Sequence, residues 1–470
     1  MNGQFPNADT SPDMVGSPRK DGNPHMDVSP DVDANSQTKG SPDVDGGQKV
    51  IYEVHLDEYR QSARAVGRRN LVALYGYTAT SRLWFDGSLW LIYWQVKGIS
   101  LFDIGLLEAI LHVVCLFVDV PIGIFADRYG WKLSLLASGV FGVVYSVLSL
   151  IGHNFLFAAL AFAARGVQST FVNGSDAALA YESARIAGEQ ERYQRISGRM
   201  MAIMLVSMAV AEAAGGALAN WSWNAIYIAI IIAHVVSMTV TLFISEPRGL
   251  KDVKSAPREE SNASRESALT VAKDAIRFAK SSPLFLRWLL FSAVLSGFLA
   301  TFSFYGQSLL LHSGWSLVGI GILSGFENGF GAVMALSSDR VTRYLGERRT
   351  AVVTAFIGGL GLTLFAFVPG VASGVGYLTG SAGGNLADPL IDRKLNDIIP
   401  TRQRATLLSA NSTAFSLFMI VVFPLFGLLS GRLGLIHAAE IWSVIGVCLI
   451  IASALAVRSP LSKVDHTDTV

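Results

Sequence analysis

Only two cysteines occur in 470 residues, Cys115 and Cys448, and both lie in apolar runs, so neither a disulfide framework nor a zinc-ligand spacing is present. There is no Walker-type glycine loop, nucleophile elbow or metal-ligand cluster, which leaves an enzyme without candidate chemistry. Charge is scarce too. Charged residues make up 16% of the chain against 51% hydrophobic, with a mean hydropathy of +0.43, and that ratio cannot clothe a soluble protein. The net charge is +1, and the basic residues are sorted by loop instead of gathered on one patch, which excludes a nucleic-acid-binding face. The amino terminus lacks the basic start and apolar run of a signal peptide.

What the chain does have is long apolar runs. A bilayer core of about 30 Å takes roughly 20 residues per helix. Twelve spans fit, at 71–95, 102–125, 133–152, 155–181, 198–219, 223–244, 285–311, 316–336, 351–369, 372–392, 405–430 and 436–457. With this placement the alternate loops on one side carry 22 Lys and Arg, and those on the other side only Lys97 and Arg432. That sorting predicts an even number of spans in the cell membrane with both termini cytoplasmic. The expected fold is an all-α integral membrane protein of two six-helix halves, 51–244 and 285–457. Residues 1–50, rich in Ser, Pro, Asp, Gly and Asn, read as a disordered cytoplasmic tail, and 458–470 as a second tail. Between the halves lies a cytoplasmic loop, 245–284, in which 264–280 has the spacing of an amphipathic surface helix.

The halves repeat. Asp127-Arg128 returns as Asp339-Arg340, and 339 minus 127 gives an offset of 212 that also maps Tyr93 onto Tyr305, Asn173 onto Asn385, Asp176 onto Asp388 and Gly215 onto Gly427. Residues 119–132, DVPIGIFADRYGWK, form a compact charged turn whose spacing Gly123-x3-Asp127-Arg128-x-Gly130-x-Lys132 resembles the signature loop of the major facilitator superfamily of secondary transporters. The resemblance implies that Gly123 lets helices approach closely and that Asp127 and Arg128, with Gly130, form a charge lock on the inner gate. Asp339 and Arg340 would be its second copy. The stretches 395–412 and SDAALAYES resemble a prokaryotic, drug-efflux-like branch of that family. The fifth span keeps Gly198, Gly215 and Gly216 of an antiporter motif, but Glu212 stands at the motif's proline position.

Ionisable groups at membrane depth cost roughly 3 kcal/mol or more unless they face a partner or a cavity, so each is a candidate functional residue. In the first span Arg82 and Asp86 are four residues apart, as a helical charge pair would be, with Tyr93 as cavity wall. One of Trp84, Trp90 and Trp94 at least is expected in an outer interfacial belt. In the second span Glu108, His112, Cys115 and Asp119 share one stripe that could hand a proton inward, with Asp119 balanced by Arg165 or Arg82. Arg165 and Asp176 are expected on one face of the fourth span, and Arg165 resembles the family's fourth-helix arginine. Glu212 and Glu327 are further acids in need of partners, and Tyr305 is a second cavity wall.

These observations point to a monomeric carrier in the lipid bilayer that moves a small molecule by alternating access. It needs no cofactor, the proton gradient being its energy source. Proton-coupled efflux of an amphiphilic or cationic compound is the leading expectation. Proton-coupled uptake of a small metabolite or siderophore-like compound follows, favoured by Arg82, Arg165 and the missing proline. A non-transporting membrane sensor would have little need of the ionisable groups.

Overall fold

The computed structural model describes residues 46–247, 277–278, 281–399 and 404–457. The tails expected at 1–50 and 458–470 and the surface helix at 264–280 fall almost wholly outside the described residues. The described chain is all helix: α1 (Gly46–Ser81), α2 (Trp90–Val96), α3 (Leu101–Tyr129), α4 (Trp131–Ile151), α5 (Phe155–Val172), α6 (Ser175–Ile186), α7 (Tyr193–Trp221) and α8 (Trp223–Leu242) in the first half. The second half holds α9 (Pro283–His312), α10 (Leu317–Leu345), α11 (Glu347–Phe367), α12 (Ser373–Ile398), α13 (Arg404–Leu433) and α14 (Leu435–Ala456).

Among the described residues, ten helical segments are long and apolar enough to cross a membrane, with α5 and α6 counted as one. The first span, split into α1 and α2, and the glycine-rich α12, with Asp388 and Asp392 in its length, complete twelve. Helix α1 starts at Gly46, well before the expected edge at residue 71, so the arginines at 60, 64, 68 and 69 ride on a helix that runs out of the apolar zone.

The loops set each helix end by ordinary capping. At the end away from the basic loops, Ser100, Asn154, Ser222 and Ser316 accept hydrogen bonds from the exposed N–H groups of the first turn. Lys97, one of the two basic residues on this side, donates to the carbonyls of Ser149 (2.6 Å), Leu150 (3.2 Å) and Gly152 (2.6 Å), closing the C-terminus of α4. At the basic end Gly130 turns the chain with φ of +107°, and the Lys132 N–H donates to Glu246 at 2.9 Å.

The two halves meet through α3 against α13 and α7 against α10. Small residues make these seams tight at one end only. A Cβ at Gly105 would lie 2.7 Å from the Phe423 carbonyl, one at Gly427 2.4 Å from that of Leu101, and one at Gly216 2.4 Å from that of Leu317. Toward the basic end of α3 and α7, a Cβ at Gly123 or Gly198 would meet no described atom within 4 Å. These seams are therefore closed away from the basic loops and open toward them.

Candidate functional site

Residues 82–89 leave the helix, with only short turns such as the Gly87 N–H to the Trp84 carbonyl at 3.0 Å. Gly215 of α7 makes room for this bulge, since a Cβ there would lie 1.9 Å from the Phe85 carbonyl. Gln307 of α9 holds it from the other half: its Oε1 accepts from the Leu91 N–H and its Nε2 donates to the Gly87 carbonyl, both at 3.1 Å.

The break changes the expected pairing. Arg82 and Asp86 are not a helical pair, because the segment between them is not helical. Arg82 reaches Asp176 at 3.2 Å instead. Asp86 is buried, accepts a hydrogen bond from the Tyr145 hydroxyl and has Arg165 at 4.0 Å, while Arg165 also donates to Tyr145 at 3.3 Å. The guanidinium lies over the rings of Trp84 (5.0 Å) and Tyr145 (5.3 Å), a favourable place for a cation. Arg165 and Asp176 do not share one helical face either, because Gly174 with φ of +79° divides α5 from α6. Broken helices at membrane depth are tolerated where the freed backbone finds partners or a cavity.

A cavity of about 260 Å³ opens beside this cluster, lined by Arg82, Trp84, Trp90, Glu108, Arg165, Gln168 and Phe304. Buried Glu108 has His112 at 3.9 Å, and the other imidazole nitrogen is 3.2 Å from Ser416 of α13. Asp119 stands apart. It is exposed, and among the described residues it bonds neither Arg165 nor Arg82, the partners expected for it. The residues of the stripe expected on α3 meet different neighbours: Glu108 lines the cavity, His112 meets Ser416 of α13, and Cys115 lies at 3.5 Å from the Gly166 carbonyl and 3.6 Å from Ser169 of α5. Farther along α3, Asp119 and Gly123 are exposed and lack the packing expected of them.

The second half has its own cavity of about 270 Å³, between α9, α10, α11 and α12, with α13 at one side. Phe302, Phe365, Tyr377 and Phe415 form its walls, with Glu327 and Asp388 among its polar groups. Glu327 accepts from the Ser381 hydroxyl, which also receives a hydrogen bond from Asn385 at 3.0 Å. The next residue on α10, Asn328, donates to Glu212 of α7 at 3.0 Å and so supplies the partner that acid required.

Both tyrosines expected as cavity walls serve packing. Tyr93 donates to the Ser149 carbonyl at 2.5 Å and packs on Tyr227 at 4.5 Å, away from the first cavity. Tyr305 is buried and donates to the carbonyls of Leu101 (3.1 Å) and Phe423 (3.0 Å), at the seam where Gly105 also sits. Trp90, packed on Phe162 and Phe304, and Trp94, packed on Tyr93, are buried on α2 rather than interfacial, and Trp84 of the bent segment is half-buried beside Arg165. In the signature turn Arg128 lies 5.5 Å over the Tyr129 ring, and Asp127 ends α3 exposed. Asp339 pairs with Arg343 of its own helix at 2.9 Å and not with Arg340. Sequence reading missed Tyr145, Tyr377 and Ser381. A hydroxyl in the middle of an apolar span is the available signal, because it must find a partner there.

Comparison with known proteins agrees with this geometry. The chain is 23% identical over 389 residues to the uncharacterized MFS-type transporter YxaM of Bacillus subtilis strain 168, covering 80% of this chain and 92% of that one. Its fold is similar to that of the nucleoside transporter NupG (TM-score 0.67, 13% identity, 84% of this chain and 100% of that one). It is also similar to that of a D-xylose-proton symporter (TM-score 0.61, 13% identity, 83% and 96%). A third likeness is to a bacterial homolog of the human lysosomal transporter Spinster in an inward-facing, unoccupied conformation (TM-score 0.59, 14% identity, 85% and 97%). The sequence profile of the Major Facilitator Superfamily matches residues 71–381, and with it the charge sorting, the signature turn and the two-half bundle have one explanation: the chain belongs to that superfamily and is a multi-pass membrane transporter, not an enzyme.

Proposed function

We propose that this protein is a proton-coupled carrier that exports an amphiphilic or cationic compound, working as a monomer with its basic end and both termini in the cytoplasm. The observation that carries the coupling is Arg165 set between two carboxylates: it lines one cavity together with Glu108, and Asp86 is buried behind it at 4.0 Å. A proton taken by Asp86 removes the counter-ion of Arg165 and leaves the guanidinium to Glu108. Return of the charge reverses the exchange. Coupling therefore rests on Asp86 and Glu108, with Asp119 at the open mouth as an entry point for water and protons.

A second reading is proton-coupled uptake of a small metabolite. It is supported by Glu212 bonding Asn328 where the antiporter motif has proline, and by the fold shared with a D-xylose-proton symporter.

The test is transport of a compound panel by the purified protein in proteoliposomes, under an imposed pH gradient of either sign. Asp86→Asn and Glu108→Gln should lose uphill accumulation while keeping downhill flux. If both variants still concentrate substrate, the coupling reading is wrong; movement of substrate in the same direction as protons would select uptake over export.

A further inference from the structure

The cavity of the second half has a charge balance of its own. Its lining contains Glu327 and Asp388 and, among the described residues, no lysine, arginine or histidine. Glu327 is committed to a single hydrogen bond, from Ser381 to Oε1, and among the described residues its other oxygen has no hydrogen-bond partner. Ser381 in turn is held by Asn385 through both its hydroxyl and its carbonyl, each at 3.0 Å, so the carboxylate is fixed from behind. Around it stand aromatic faces: Phe365 lies 6.0 Å from Phe302 and 5.7 Å from Tyr377. Aromatic faces attract a cation within about 6 Å, the more so where water is excluded. An apolar cavity with a few convergent polar groups is also the usual form of a small-molecule site.

We propose that this cavity is a binding site for an organic cation, an ammonium group carried on an apolar body, with Glu327 as its counter-ion, the aromatic walls holding the body and Asp388 drawing the cation in from the open end. The inference rests on the transporter reading above and names its substrate class and where that substrate sits. It also gives the neighbouring bond a use. Asn328 follows Glu327 on α10 and links to Glu212 of the other half, so a ligand that moves Glu327 bears directly on the seam between α7 and α10.

The experiment is equilibrium binding of benzyltrimethylammonium to the purified full-length protein by calorimetry, with uridine as a neutral competitor. Glu327→Gln should weaken binding tenfold or more, and Glu327→Asp, which keeps the charge, should stay within threefold of the native protein. Asp388→Asn should weaken it two- to threefold. Glu440→Gln, at an exposed ion pair of α14, should leave it unchanged. Size-exclusion profiles establish that each variant is folded.

The site is overturned if the native protein does not bind the cation, if Glu327→Gln binds as tightly as the native protein, if the Asp variant loses as much as the Gln variant, or if uridine displaces the cation fully. Any of these, together with uphill transport that still depends on Asp86 and Glu108, would remove the cation site while leaving the coupling reading in place.

Discussion

The two cavities are close in size, yet they handle charge in opposite ways. In the first half the acids around the cavity have an arginine in reach: Asp86 has Arg165 at 4.0 Å, Asp176 has Arg82 at 3.2 Å, and Glu108 lies in the field of Arg165; Glu212, also of that half, has the neutral donor Asn328. In the second half Glu327 has only the neutral donor Ser381. An internally balanced site has little left over for a charged ligand but can shuffle protons among its members. A site with an unbalanced acid keeps its attraction for something that arrives from outside. On the reading proposed above, one half of a pseudo-symmetric bundle serves coupling and the other cargo.

That contrast has energetic consequences, which can be ordered by size. Arg165→Gln should have the largest effect. It leaves Asp86 buried without its cation, a loss of about 3–5 kcal/mol, read as a fall in the thermal midpoint of the purified protein, and a second change, Asp86→Asn, should restore most of it. Tyr145→Phe comes next, since it deletes the hydroxyl that donates to Asp86, at roughly 1.5–3 kcal/mol for a hydrogen bond to a charged group. Glu327→Gln should cost least, within about 1 kcal/mol, because the amide oxygen can still accept from Ser381 and no buried cation is orphaned. A loss there as large as that of Arg165→Gln would erase the distinction between the halves.

The fold was largely legible because bilayer thickness and charge sorting act on whole segments, and such averages survive local error. The sites were less so. The spacing of Arg82 and Asp86 suggested a pair only on the assumption of an unbroken helix, and the first span is bent by contacts from α7 and α9 that lie more than a hundred residues away. The fourth span did carry a local warning in Asn173-Gly174, a turn-forming dipeptide. The stripe on α3 rested on phase, which gives a direction and not an environment, so its members are buried at Glu108, set against α13 at His112 and α5 at Cys115, and exposed at Asp119. The repeat offset shows the same limit in part. The offset of 212 holds where α7 and α13 end, at Trp221 and Leu433, and where α8 and α14 begin, at Trp223 and Leu435. The equivalent turns at Gly130 and Gly346, however, lie 216 residues apart (346 minus 130), four more than the 212 read from Asp-Arg. Four residues are close to one helical turn, so at that turn faces stayed aligned while depth slipped by about 6 Å.

Position 307 has a consequence for the alphabet of residues the chain can tolerate there. The side chain must accept a proton bond from Leu91 and offer one to Gly87 at the same moment. Glutamate lacks the donor, lysine and arginine lack the acceptor, and methionine has the length without strong capacity for either. Asparagine has both but is shorter by one methylene. Histidine carries one donor and one acceptor, but on a rigid ring that cannot place them as a carboxamide does. A saturation library at this codon should therefore collapse toward glutamine wherever transport is required, as sharply as at a catalytic residue, although nothing is catalysed there.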